Sequence, residues 1–308
     1  MANLKEVRNR ITSVISTQQI TKAMKMVSAA KLRRAQDAIV QMRPYAAKLK
    51  EIMENISSTL ESGAGGAYAT VRPVKNVLIV AINSNRGLCG GFNANIVRTV
   101  NRLIREQYAA QTKEGRLKIL CIGKKASDFF SKTPVLYAGN HNDLYNHLNF
   151  DQAAVIADKI MKEFSEGAYD KIVIVYNQFK NAAVQYVQVE QLLPIEASPT
   201  PPKEGLSANA EQSGGKSAAK KINDYIFEPE KEELVLQLIP KSIRIQLYKA
   251  LLDSNASEHG ARMTAMNKAT DNAGDLLRDL RLSYNKARQA AITGEILEIV
   301  AGAEALSG

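Results

Sequence analysis

NLKEVRNRITSVISTQQITKAMKMVSAAKLRRAQDAIVQMR, residues 3–43, contains neither Gly nor Pro. Apolar residues recur at Leu4, Val7, Ile11, Val14 and Ile15, then at Ile20, Met24, Val27 and Leu32. That spacing predicts a long helix with a narrow apolar stripe. Asn3 suits an N-cap, with Glu6 three positions on. Pro44 is expected to kink or interrupt the helix, which resumes through Met53 and Leu60 before the turn-rich ESGAGGAYAT.

The other end of the chain mirrors this one. From Pro240, a residue suited to a first helical turn, to Ala301 there are only three glycines, Gly260, Gly274 and Gly294. Ile245, Leu252, His259, Met263, Met266, Ala273, Leu276, Leu277, Leu280, Tyr284 and Ala287 trace a second stripe. A narrow stripe needs a partner helix, so the two ends are expected to pair. At 1.5 Å per residue the first helix spans about 65 Å to Pro44 and the last about 90 Å, which leaves roughly 25 Å projecting. That tip, AAITGEILEIVAGAEAL, is apolar around most of its circumference and requires a sleeve.

Between the rods the pattern changes. NVLIVAI, KILCIG and KIVIVYNQF read as strands, alternating with helices near Asn93 to Gln107, Lys124 to Ser131 and Phe150 to Glu166. This is a βαβ arrangement with a mostly parallel sheet. AAVQYVQVEQLLPI and DYIFEP read as later strands, suited to an antiparallel edge. Ala197 to Lys221 is rich in Pro, Ser, Ala, Gly and Lys and is expected to be a disordered insertion. The fold class is therefore α/β: long N- and C-terminal helices forming an antiparallel coiled coil, plus a central Rossmann-like α/β domain. The expected boundaries are 1–62 for the first helix, 74–229 for the central domain with the 197–221 insertion, and 230–308 for the last helix.

Composition restricts function. The 308 residues are 45% hydrophobic and 23% charged, with a formal net charge of +10 and no Trp. The longest apolar run, Val77 to Ile82, is far short of the roughly 20 residues of a membrane span, and no signal peptide is expected at the start. Cys89 and Cys121 lack redox or metal spacing and suit a reducing compartment. Residues 1–50 hold nearly all the excess charge, with only Glu6 and Asp37 opposing their lysines and arginines. Such a basic helix meets phosphates, acidic lipids or an acidic protein surface equally well.

The apparent chemistry is weak. SNRGLCGGFN, Ser84 to Asn93, follows a strand and opens a helix, where α/β proteins bind phosphates. Its glycines, Gly87, Gly90 and Gly91, lack the dinucleotide spacing, and the second strand runs into Gly123, Lys124 and Lys125 without an acidic residue. GGKS at Gly214 to Ser217 resembles the end of a P-loop but has no strand before it. His141, His147 and His259 are scattered without ligand spacing. No catalytic residue, metal or cofactor is expected.

Five segments, in order, carry a resemblance: ITKAMKMVSAAKLRRAQ (Ile20 to Gln36), SNRGLCGGFN, DYIFEPE (Asp224 to Glu230), SEHGARMTAMNKATDNA (Ser257 to Ala273) and YNKARQAAITGEILEIVAGAEA (Tyr284 to Ala305). Together they resemble the gamma subunit of F-type ATP synthases, with Ile292, Thr293, Glu295, Glu298, Gly302 and Ala303 at the spacing of its signature. The resemblance implies a rotor shaft turned by a proton- or sodium-powered membrane ring inside an alpha/beta hexamer. Met24 and Lys25 would then face the acidic lever of beta. Arg262, Gln289, Thr293 and Glu295 would meet or support the beta catch loops. Arg43, Pro44, Tyr45, Tyr225 and Phe227 would form the foot on the c-subunit ring and epsilon subunit. It also implies a peripheral place on the cytoplasmic face of a bacterial inner membrane, attached indirectly, with no nucleic acid partner.

Two rivals fit parts of the chain. A coiled-coil nucleic-acid binder would show salt-sensitive binding, and a nucleotide-dependent α/β enzyme with helical arms would bind or turn over a nucleotide.

Overall fold

The computed structural model describes residues 4–59, 68, 70–133, 137–146, 148–195 and 231–307. The two ends form helices α1 (Leu4–Thr59) and α6 (Lys231–Ser307), of 56 and 77 residues. Between them run β1 (Val77–Ile82), α2 (Phe92–Glu106), α3 (Ala109–Lys113), β2 (Leu117–Ile122), α4 (Lys124–Phe130), β3 (Tyr137–Asn140), α5 (Phe150–Ser165), β4 (Lys171–Phe179) and β5 (Gln185–Leu193). The central helices and strands are present to within a residue or two of expectation, whereas α6 begins well before Pro240. The short β3 and α3 carry too little periodicity to be read in advance. The 197–221 insertion and the DYIFEP segment lie outside the described residues.

Neither proline ends a helix. Pro44 sits within α1 on its solvent side, and Val40, whose carbonyl loses its donor, is 66% exposed, so water can take the donor's place. Pro240 is not in a first turn, because α6 begins at Lys231. Ile239, Ile243 and Leu247, all buried against the sheet, hold the helix through it.

α1 and α6 run antiparallel. Arg43 meets Asp253, Lys25 meets Asn267, Thr21 meets Thr270, and Gln18 reaches the Thr270 carbonyl. The buried face of α1 follows strict heptads: Val7, Val14, Thr21, Ser28, Ala35, Met42 and Leu49 alternate with Ile11, Gln18, Lys25, Leu32 and Ile39. This corrects the expected stripe. Ile20 and Val27 are 60% and 58% exposed, and the polar Thr21 and Ser28 take the seam. A seven-residue repeat keeps the seam on one partner, whereas the run through Ile20 and Val27 lies one residue out of phase. On α6 the seam passes through Leu252, Ala256, His259, Met263, Met266, Thr270, Ala273 and Leu277, much as the periodicity predicts, although Leu276 is exposed.

The sheet has the order β3-β2-β1-β4-β5. Its first four strands are parallel, and β5 is an antiparallel edge. β1 is buried on both faces, as its unbroken apolar run requires. Val77, Ile79 and Ala81 pack on Ile96 and Val100 of α2 and Phe130 of α4. Leu78, Val80 and Ile82 face Ile156, Ile160 and Phe164 of α5 together with Ile243, Leu247 and Leu251 of α6. The lower half of α6 therefore belongs to two structures at once, the coiled coil and one layer of the α/β sandwich. From Ala250 to Ser254 it is buried without a break, so no narrow stripe describes it there.

Candidate functional site

Doubly wound sheets bind ligands beyond the carboxyl ends of the strands where the order reverses. Here that point lies after β1 and β4, and α6 crosses it. Ser257 Oγ donates to the Asn177 carbonyl at the end of β4 (3.0 Å), and Thr264 Oγ1 donates to the Ala182 carbonyl in the β4–β5 turn (3.0 Å). Gly260 is the close approach between them: an added Cβ would stand 3.3 Å from the Ala182 backbone.

Arg262 lies beside these contacts and is only 7% exposed. Its Nη1 pairs with Glu258 Oε1 at 2.8 Å, one helical turn back. Its Nη2 donates to the Arg86 and Gly87 carbonyls at 3.1 and 3.3 Å, and its Nε donates to the Gly87 carbonyl at 3.4 Å. The planar guanidinium serves a carboxylate and two carbonyls from three separate nitrogens, a spread that the single nitrogen of an ammonium does not have. The acceptors belong to the SNRGLCGGFN turn. Ser84 Oγ donates to the Arg86 carbonyl (2.7 Å), and Asn93 Nδ2 donates to Ser84 Oγ (2.8 Å) and Cys89 Sγ (3.1 Å). Leu88 and Gly90 take positive φ of 62° and 59°, and Leu88 is left exposed.

Burial governs the ionisable groups. It pushes the Cys121 thiol up to about 12 and that of Cys89 upward too, so neither supplies a thiolate at neutral pH. Burial raises the Glu258 carboxyl against the opposing pull of Arg262. It also lowers His259 to about 4, helped by the charges of Arg262 and Lys31. His259 therefore stays neutral in the seam.

The residues singled out in the sequence divide into two sets. Lys25 Nζ donates to Asn267 Oδ1 across the seam, while Met24 beside it is half-buried. Arg43 donates to the Phe179 carbonyl (3.0 Å) and Asp253 Oδ1 (3.4 Å), so it ties α1 to both α6 and the sheet. Arg262 alone of these turns fully inward. Tyr45, Gln289, Thr293 and Glu295 are exposed, with the Thr293 hydroxyl bonded to the Gln289 carbonyl (2.9 Å). Tyr225 and Phe227 lie outside the described residues. Asp253 pairs with Arg43, whose side chain stays half exposed, and Glu258 pairs with the buried Arg262; the i, i+4 spacing of Glu258 and Arg262 was the available signal.

The register fixes the tip. Gln18 lies level with Thr270 and Gly274, so the start of α1 is level with about residue 286, and the last twenty or so residues of α6 project roughly 30 Å. Ile292, Ile296, Leu297, Ile299 and Val300 are all about half exposed or more. Monomeric soluble proteins seldom leave such a patch open. Among the described residues no helix is long and apolar enough to cross a membrane.

A family model described as ATP synthase matches residues 3–306. The chain is 58% identical to the ATP synthase gamma chain of Flavobacterium johnsoniae and 56% identical to that of Christiangramia forsetii, over the full length of each. Among solved structures it is similar to a chain of the central stalk and c-ring of the Tetrahymena thermophila mitochondrial ATP synthase. There the TM-score is 0.57 and the identity 27%, over 81% of this chain and 99% of that one. A chain of the Euglena gracilis mitochondrial ATP synthase rotor shares the fold at a TM-score of 0.65 and 22% identity, over 94% and 98%. With the paired end helices, the crossed sheet and the bare tip in place, these matches settle the family: the chain belongs to the gamma subunits of F-type ATP synthases.

Proposed function

We propose that this chain is the rotor shaft of a proton- or sodium-driven ATP synthase, carrying rotation of a c-subunit ring to the catalytic beta subunits of an alpha/beta hexamer. Nucleotide chemistry stays in the hexamer, and the chain contributes no catalytic centre of its own. The observation that carries the reading is the tip, a single helix with exposed apolar residues standing on a rigid helical pair. An apolar sleeve would hide that surface without directional bonds that resist turning. One helix leaving a two-helix rod off its axis makes the shaft asymmetric, so a turn presents a different face to each subunit around it.

The outward residues are assigned to partners: Met24 to the beta lever; Gln289, Thr293 and Glu295 to the beta catch loops; Tyr45, with Tyr225 and Phe227, to the ring and epsilon subunit. Arg43 and Arg262 act by holding neighbouring backbone, and Lys25 acts by bonding Asn267 across the seam. The exposed Lys22, Arg33 and Arg34 supply the basic collar toward acidic beta surfaces. Attachment to the cytoplasmic face of a bacterial inner membrane is indirect, through the ring.

Reconstitution with cognate alpha and beta subunits, followed by mass measurement, tests the reading. One large complex with a single copy of this chain per hexamer is expected. A folded chain that stays outside the complex, or that binds DNA with a steep salt dependence, refutes it. Deleting 197–221 is expected to leave assembly intact.

A further inference from the structure

We propose that Arg262 is a positioning residue that locks the α/β domain to the shaft, joining α6 to the turn after β1 so that the two rotate as one body. The inference deepens the rotor reading and rests on it. A motif-based reading would send Arg262 to a partner, yet its guanidinium is buried and its donors are spent within the chain. One face meets Glu258 of its own helix; the rest meets the Arg86 and Gly87 carbonyls of the other layer.

The place of this joint gives it leverage. Below it, α6 is wedged between α1 and the sheet. Just above it, α6 still touches the β4–β5 turn at Thr264 and nears Gly90 at Ala265; beyond that it pairs with α1 through a seam that turns polar at Gln18, Thr21, Lys25 and Ser28. Ser257 and Thr264 hold the β4 side of the same crevice, and Arg262 alone among the three reaches the β1 side. Without it, the turn would keep its own Ser84–Asn93 network and remain folded, but its link to the shaft would slacken. Twist arriving from the coiled coil would then be absorbed locally before reaching the domain.

A second pair of residues allows the joint to be rebuilt covalently. A Cβ on Gly90 of the turn would stand 4.0 Å from the Cβ of Ala265 on α6, within the separation that a disulfide requires. Gly90→Cys with Ala265→Cys, in a Cys89→Ala background, should therefore close a reversible bridge across the same gap.

The test uses the complete synthase in membrane vesicles, reading ions pumped per ATP hydrolysed, together with hydrogen exchange of the full chain over residues 84–92. Arg262→Gln is expected to speed exchange there by roughly tenfold to a hundredfold, the change for one or two lost charge-assisted hydrogen bonds, and to lower pumping per ATP several-fold. Arg262→Lys, which keeps the charge without the fork, should fall between. Oxidising the cysteine pair in the Arg262→Gln chain is expected to restore both readouts, and reduction to remove them again. The same pair beside an intact Arg262 controls for strain at Gly90.

A purely partner-facing arginine would not be rescued by a bridge inside the chain. The proposal is overturned if Arg262→Gln leaves exchange and coupling unchanged. It also falls if the bridge, verified by mass, fails to restore coupling, or fails to restore assembly should Arg262→Gln prevent it. Should the unsubstituted chain itself fail to assemble, the rotor reading falls, and the exchange measurement still decides whether Arg262 is the lock.

Discussion

Alanine substitution of Gly260, Gly274 and Gly294, three of the four glycines in α6, separates helix propensity from packing, because the local gain is the same at each. Replacing Gly by Ala in a helix interior stabilises by about 1 kcal/mol. At Gly294 nothing lies within 4 Å of the new Cβ, so the full gain appears, slowing local hydrogen exchange in the tip about fivefold. At Gly274 the Cβ meets the Gln18 Nε2 at 3.2 Å. That atom ends a flexible side chain and can swing away, giving up only its long bond to the Thr270 carbonyl (3.4 Å), so the net effect is neutral or slightly stabilising. At Gly260 the obstacle is backbone, with Ala182 Cα and O at 3.3 Å and Phe179 Cε2 at 3.4 Å. Ala182 cannot retreat, because its carbonyl accepts from Thr264 and Gln185 and its turn is braced by the Asn181 side chain. Overpacking of this kind costs about 1–3 kcal/mol, so Gly260→Ala should be net destabilising by up to about 2 kcal/mol. Urea unfolding at constant m-value measures the last two variants. If Gly260→Ala stabilises as much as Gly274→Ala, the close approach of α6 to the β4–β5 turn is wrong.

Three further outcomes are expected. His259 has a folded pKa of about 4 against 6.5 unfolded, so below pH 6.5 the unfolded chain binds the extra proton. Its contribution, at most about 3 kcal/mol, is fully present above pH 6.5 and lost as pH falls toward 4; His259→Gln should flatten the stability profile in that window, and an unchanged profile counts against the buried neutral imidazole. Ile299→Asp, at a position 70% exposed, should change the free chain's stability by no more than about 0.5 kcal/mol while sharply reducing incorporation into the alpha/beta complex; equal incorporation would show that the tip is not sheathed. Gly123→Ala places a Cβ 2.1 Å from the Asn83 carbonyl at a φ of +112°, so a loss of at least about 3 kcal/mol is expected; a stable, folded variant by circular dichroism would refute the β1–β2 register.

Much of the molecule was legible because its signals are local. The apolar runs at Val77–Ile82 and, within Lys171–Phe179, from Ile172 to Tyr176 read as strands covered on both faces, and that is where they lie. The α6 stripe from Leu252 to Leu277 was nearly right because its apolar residues coincide with its heptads. The α1 stripe was misread for the converse reason. Thr21 and Ser28 sit in the seam, with Thr21 paired to Thr270, while Ile20 and Val27 lie outside it. The prolines stay inside their helices for two reasons that propensity does not carry: Pro44 faces solvent, where water can serve the Val40 carbonyl, and Pro240 is flanked by residues buried against the sheet. The contacts of Lys25, Arg43 and Arg262 depend on Asn267, Asp253 and the Arg86–Gly87 carbonyls, none of them a neighbour of its arginine or lysine in sequence.

The sequence by itself determined two long terminal helices around a parallel-stranded domain, a basic first helix and an apolar last segment. Periodicity, turn residues and charge distribution act over a few residues and need no knowledge of the rest. Only the tertiary structure decided which face of α1 forms the seam, that α6 fills the crevice of the sheet, and how far the tip stands clear. Each of those depends on which surfaces meet across hundreds of residues, and that is settled by packing and hydrogen-bond satisfaction over the whole molecule.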